Sequence, residues 1–328
     1  MAQWQKKLLM LNSNSSVATD DNSSIAITEY HHQTQQEMSE LIKRTLSGAI
    51  YVACVVGSIL YSPYAFGLLL LLVTCLAVNE FHKLMKSSRI NRSGGIVCAL
   101  LLCGGAICFS VLPRDLFLQN SWGVYGLIGV CYSIILIATL IDELWEKSEH
   151  PVQNWGTLLV SQVMIVLPFC SMALLFHMDK WLLLAVFVLL WVNDTGAYCV
   201  GCLTAKLPKG NHKMFPRVSP KKSWEGLIGG IVFSLLAALI LYHFGWFDKI
   251  AANDYGMAIA LAFAVVACAF GTLGDLMESL MKRSIGVKDS GRFLPGHGGV
   301  LDRFDSLLLA TPMLTIYCFL CYAISSLL

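Results

Sequence analysis

Residues 279–305, Ser279 to Asp305, read SLMKRSIGVKDSGRFLPGHGGVLDRFD and lie between two apolar stretches of membrane length. The segment holds five basic residues, three aspartates, one histidine and five glycines, and no apolar run. A piece this polar does not span a bilayer, and its glycines break any continuous helix. It has to sit in water or line a wet cavity, and its charges suit an anionic, metal-loving ligand. It is the candidate active centre.

The sequence around it is oily: 56% of the 328 residues are hydrophobic and only 13% charged. That length would accommodate two soluble domains, but repeated apolar runs point instead to one polytopic, all-α membrane bundle. About nine spans are expected, near 45–62, 64–81, 94–112, 122–141, 154–175, 181–201, 225–245, 255–274 and 306–327. Only Ser62-Pro63 separates the first two, which read equally as a short hairpin that does not fully cross. Residues 1–40 are polar, without an apolar core behind Lys6 and Lys7, and read as a disordered cytosolic tail before a membrane domain over 41–328. Met38 to Arg44 reads as an amphipathic lead-in.

Basic residues test this arrangement. With the N-terminus inside, loops on that side carry Lys83, Lys86, Arg89, Arg92, Lys147, Lys206, Lys209, Lys213, Arg217, Lys221, Lys222, Lys282, Arg283, Lys288, Arg292 and Arg303. Loops on the other side carry Arg114, Lys180 and Lys249. This is the positive-inside pattern, and it places the two most polar loops on one cytosolic face. The twelve cysteines fall largely inside apolar runs, where a thiol packs as a small hydrophobe; the pairs Cys199/Cys202 and Cys318/Cys321 lack the polar loops of zinc sites.

Four polar clusters carry the chemistry. Asn193 and Asp194 close the sixth span; a carboxylate at membrane depth costs ~2.5–3.5 kcal/mol, so Asp194 is expected to face a cavity or a cation. Ser219-Pro-Lys-Lys-Ser-Trp-Glu225 enters the seventh, with Pro220 read as a helix start and Lys221 and Lys222 as interfacial cations. Gly226, Gly229 and Gly230 make a small-residue face for close helix packing. Asp275, Glu278, Ser279 and Lys282 are spaced by three or four and share one face of a continued helix. In the last cluster, Gly296, Gly298 and Gly299 flank His297, a spacing that lets backbone N–H groups turn toward an anion, and Asp302 and Asp305, three apart, are able to point the same way at the membrane edge, helix capping by Asp302 being the plainer alternative.

No nucleophilic triad and no GxxxxGK[ST] phosphate loop accompanies these residues. A phosphate nucleophile needs neither, because it arrives ionised. Its difficulty is repulsion, ~4 kcal/mol per charge pair at 4 Å and an effective dielectric near 20. Divalent ions bridging the oxygens offset that, and paired aspartates flanked by Lys and Arg are what such chemistry requires.

Ser279-x-x-Lys282-Arg283, Lys288-Asp289, Gly291, Leu294-Pro295, His297-Gly298-Gly299 and Asp302-Arg303-Phe304-Asp305 together resemble the signature of the phosphatidate cytidylyltransferase (CDP-diacylglycerol synthase) family. The clusters at Ser219–Gly226, Asn193–Tyr198 and Gly274–Ser279 look like that family too, and the resemblance covers about Thr45 to the C-terminus. It implies a multi-spanning enzyme, a homodimer in many members, that uses Mg2+ and a second cation such as K+ to convert CTP and phosphatidate into CDP-diacylglycerol and pyrophosphate. It implies Asp275 and Asp302 as metal ligands with Ser279 beside them, and Lys282 and Asp305 as further catalytic residues. Lys221, Lys222, Arg283, Lys288 and Arg303 would handle phosphates, and His297, Gly298 and Gly299 would shape the nucleotide side. Ser219, Asn193, Asp194, Glu225 and Asp289 complete the substrate-binding set, the acids holding either metal or a basic partner. A bacterial inner membrane with a cytosolic active face is expected, and no nucleic-acid partner. The competing expectations are a CTP-dependent isoprenoid-alcohol kinase and, from another class, a transporter with intramembrane carboxylates. A CDP-alcohol phosphotransferase lacks its DGxxAR…GxxxD signature here.

Overall fold

The computed structural model describes residues 45–111, 121–146, 148–208, 210–250, 255–291 and 298–327. The tail 1–40, the lead-in 38–44, Arg114, Arg292 and His297 lie outside the described residues. The order is α1 (Thr45–Tyr61), α2 (Pro63–Leu84), α3 (Arg89–Val111), α4 (Ser121–Glu146), α5 (Pro151–Met178), α6 (Lys180–Thr204), β1 (Lys213–Phe215) and β2 (Ser219–Ser223). There follow α7 (Trp224–His243), α8 (Gly256–Ser284), the short α9 (Leu301–Phe304) and α10 (Leu307–Leu327). Among the described residues eight helical segments are long and apolar enough to cross a membrane, with α1 a shorter apolar helix before them. The chain is an all-α integral membrane protein.

Local chemistry sets the breaks. Ser62 caps α2 by accepting from the Tyr64 N–H, and Pro63 occupies a position where its missing donor costs nothing. Asp179 ends α5 in an extended conformation and caps α6 through the Trp181 N–H at 2.8 Å, so one residue turns the chain. Within α5, Gln162–Val166 forms a π-helical turn just ahead of Pro168.

Two close contacts build the bundle around the polar end. Gly226, Gly229 and Gly230 lay α7 against α6; a Cβ at Gly230 would stand 2.8 Å from the Asn193 carbonyl. The expected small-residue face therefore packs as helices do in lipid, through backbone proximity. Gly274 lets α8 reach the turn between α9 and α10, where a Cβ would meet the Asp305 carbonyl at 2.6 Å. Hydroxyls stitch α10 to α5: Thr311 donates to the Pro168 carbonyl at 3.0 Å and Thr315 to that of Ser171 at 3.3 Å.

One expectation changes. Pro220 does not start a helix: Ser219–Ser223 is a strand paired antiparallel with Lys213–Phe215, and Ser223 caps α7 through the Gly226 N–H. The residues that resembled a helix entry instead make the hairpin before it. Beyond the apolar span near 255–274 the helix continues as the spacing of its polar residues predicts: α8 runs to Ser284 and carries Asp275, Glu278, Ser279 and Lys282.

Gly274→Val forces α8 from the Asp305 carbonyl and should destabilise the purified protein by about 1–3 kcal/mol. Gly156→Ala, where a Cβ meets nothing within 4 Å, is the control. Thermal unfolding in detergent should show a lowered midpoint for the first and none for the second; equal midpoints would remove the close approach.

Candidate active site

The cytosol-expected ends of α2, α6 and α8 meet the starts of α7 and α9, and the polar residues gather there. Lys282, on the last turn of α8, donates to Asp302 at 2.7 Å and pairs with Glu278 at 2.5 Å. Glu278 has a fully buried side chain, and only 12% of the Lys282 side chain is exposed. The ammonium therefore lies between two carboxylates in a place of low solvation, where losing one partner strands the others. One turn earlier Asp275 accepts from Ser279 at 3.2 Å and pairs with Lys222 at 2.6 Å. Lys222 reaches in from β2 and also donates to the Thr272 carbonyl at 3.4 Å. The hairpin thus delivers a cation to α8.

Asp302 is held from both sides. One oxygen takes Lys282; the other accepts the Ser290 N–H at 2.9 Å and the Gly299 N–H at 2.7 Å. Gly298 adopts φ +82°, a left-handed conformation that glycine allows and that turns the next N–H inward. The backbone donors expected to meet a ligand are, at Gly299, engaged by the chain's own carboxylate. Asp305 accepts the Ser306 N–H at 2.6 Å and lies within electrostatic range of Asp275, Asp194 and Lys282. Asp194 in turn feels Asp275 and Lys222, while Asn193 is buried against Gly230.

Other expected residues stand apart from this cluster. Glu225 holds a basic partner: the His212 backbone N–H reaches both its oxygens at 3.0 Å, and the imidazole Nδ1 lies 2.6 Å away. It clamps the hairpin to α7. Lys221, Lys288 and Asp289 are exposed, and Arg283, also exposed, donates to the Val287 carbonyl at 3.3 Å. Ser219 is half-buried in the hairpin. The Arg303 carbonyl accepts from Tyr51 of α1 at 3.3 Å.

Two further acids join the site. Glu278 belongs to the polar stripe of α8, and its pairing with Lys282 four residues on is readable from spacing. Glu80, near the end of α2, accepts from the Ser290 hydroxyl, the Val300 N–H at 2.9 Å and the Leu301 N–H at 3.2 Å. A carboxylate inside an apolar run was its readable signal, the same one that drew attention to Asp194.

The cluster sets five carboxylates, Asp194, Asp275, Glu278, Asp302 and Asp305, against the ammonium groups of Lys222 and Lys282. Among the described residues no three acidic, histidine or cysteine side chains form a ready-made metal cage. The donors on offer are oxygens, two carboxylates and a hydroxyl at Asp275, Ser279 and Asp302, which suit a hard cation that completes its shell with water and substrate phosphates. Lys282→Met should cost both activity and about 3–5 kcal/mol of stability, because Glu278 loses its cation in a buried place. Lys222→Met, in a pair each about a quarter exposed, should change stability by no more than ~1 kcal/mol. Denaturation midpoints of the two variants side by side check the contrast; equal shifts would contradict it.

Comparison with known proteins supplies the reaction class. The profile described as the cytidylyltransferase family matches residues 42–321. A phosphatidate cytidylyltransferase of Haemophilus influenzae is 30% identical over 302 residues, covering 85% of this chain and 99% of that protein. Phosphatidate cytidylyltransferases of Staphylococcus saprophyticus and Staphylococcus aureus are 44% and 45% identical over 136 and 134 residues, each match covering 41% of this chain and 47% of the relative. With a profile match that runs from α1 into α10 and an acidic cluster at the ends of α8 and α9, the chain belongs to the cytidylyltransferase family.

Proposed function

We infer that this chain transfers the CMP group of CTP to phosphatidate, giving CDP-diacylglycerol and pyrophosphate for phospholipid synthesis. The observation that carries the site assignment is the meeting of Asp275–Lys222 and Asp302–Lys282 at one polar end of apolar helices. Carboxylates there serve a cation, lysines serve phosphates, and lipid is at hand on every side.

The phosphatidate phosphate is already ionised and attacks the α-phosphorus of CTP in line, so no side chain has to remove a proton from it. Mg2+ on Asp275, Asp302 and Ser279, accompanied by a second cation such as K+, would neutralise the charge that gathers between the two phosphates. Lys222 and Lys282 are the ammonium groups of the cluster, and a side-chain rotation turns Lys222 from Asp275, and Lys282 from Asp302 while it keeps Glu278, toward a phosphate oxygen. Asp305 and Asp194 add carboxyl oxygens around the pair, a surrounding that favours cations over a bare anion. Exposed Lys221, Arg283 and Lys288 form a basic rim that draws anionic headgroups and nucleotide from the interface. His297, Gly298 and Gly299 belong to the nucleotide side. The apolar helices keep bulk water from competing with the lipid nucleophile. We place the protein in a bacterial inner membrane as a homodimer with this end toward the cytosol, in keeping with the distribution of its basic residues.

CTP labelled in its α-phosphate tests the reaction. Purified protein with phosphatidate and Mg2+ should put the label into lipid and release pyrophosphate, whereas label in free CDP would mark a lipid kinase instead. Asp302→Asn should lower pyrophosphate release by about 100-fold or more, with expression and membrane insertion unchanged. Near-normal turnover in that variant would remove Asp302 from the metal site.

A further inference from the structure

Glu80 belongs to α2, more than two hundred residues before the loop it touches, yet among the described residues its hydrogen bonds all go to that loop and the start of α9. Its carboxylate takes the Ser290 hydroxyl, the Val300 N–H and the Leu301 N–H. The last two open α9, whose own N-terminal residue gives no side-chain cap. A helix start leaves its first N–H groups without partners, and a carboxylate brought from another helix both accepts them and complements their partial positive charge.

The same loop residues hold Asp302. Ser290 donates its hydroxyl to Glu80 and its backbone N–H to Asp302. Gly299 donates to Asp302 while passing so close to Glu80 that a side chain there would collide with the carboxylate. Gly291 is under the same restriction, with a Cβ 2.7 Å from a Glu80 oxygen. Two glycines and a serine thus wrap one acid of α2, and the far side of that wrapping faces Asp302. The connection continues through Asp302 to Lys282 and Glu278 on α8. No other acid from the α1–α5 half enters this chain of contacts among the described residues.

We propose that Glu80 is a positioning residue for the cytidylyl transfer: it ties the loop to α2 and thereby fixes the Asp302 carboxylate at the end of α8. The proposal rests on the function inferred above. Glu80 does not touch the reacting atoms; it acts through Ser290 and the start of α9. Three donors share its two oxygens, with Ser290 and Leu301 on one and Val300 on the other. A glutamine keeps one acceptor oxygen and loses the charge, and an alanine loses everything.

The test compares Glu80→Ala and Glu80→Gln with wild type in full-length protein in lipid nanodiscs. Steady-state kinetics in CTP and phosphatidate should show kcat lowered about 10- to 100-fold for Glu80→Ala, with both KM values within about twofold of wild type. Glu80→Gln should recover a substantial part of that loss. Amide hydrogen exchange supplies a readout independent of turnover: peptides covering Ser290 and Gly299–Leu301 should lose protection in Glu80→Ala while α5–α7 keep theirs. Unchanged kcat, unchanged protection of those amides, or a Glu80→Gln variant as inactive as Glu80→Ala would each overturn the positioning role. Loss of protection throughout the bundle would overturn it too, by making Glu80 a general stabiliser. If wild type makes no CDP-lipid, the function fails and the exchange arm still decides the tether.

Discussion

A lysine between two carboxylates, at the edge of a membrane bundle, is the constraint on which the site depends. Buried Glu278 and Asp302 both claim the Lys282 ammonium, and the three groups come from α8 and α9. In low dielectric such a set is stable only when every charge has a partner, so α8 and α9 have little freedom to drift apart. Gly274 makes the meeting possible by allowing the α8 backbone to touch the turn after α9. Asp275, one residue on, is thereby carried to the same end of the bundle as Asp302 and Asp305.

The apolar architecture was legible because membrane solvent is demanding. Each span must satisfy its backbone internally over a fixed thickness, and apolar length alone located α2 to α8 and α10. Asp275 and Ser279 were readable as neighbours on one helix face, since i,i+4 spacing survives any tertiary arrangement. The same spacing carried the helix past Gly274, where hydropathy fades, and Glu278 and Lys282 pair on that added stretch.

The remainder required contacts between distant residues. Ser219–Ser223 carries a proline and two lysines, which resemble a helix entry, and becomes a strand through pairing with Lys213–Phe215 and the Glu225–His212 clamp. Gly299 was readable as a flexible donor, but only the fold shows that Asp302 is the anion it meets. Glu80 announces itself as an acid in an apolar run; its partners, Ser290, Val300 and Leu301, lie beyond any local pattern. Charges within oily segments are thus the most informative residues of such a sequence, and their partners the least readable.

The convergence of acids from separate helices is most directly tested by a structure of the protein in lipid with CTP and Mn2+, using anomalous scattering to locate the ions. Metal density shared by the carboxylates of Asp275 and Asp302, with Lys222 and Lys282 turned toward the nucleotide phosphates, is the expected result. Ions bound elsewhere, with both lysine–carboxylate pairs intact beside bound CTP, would contradict it.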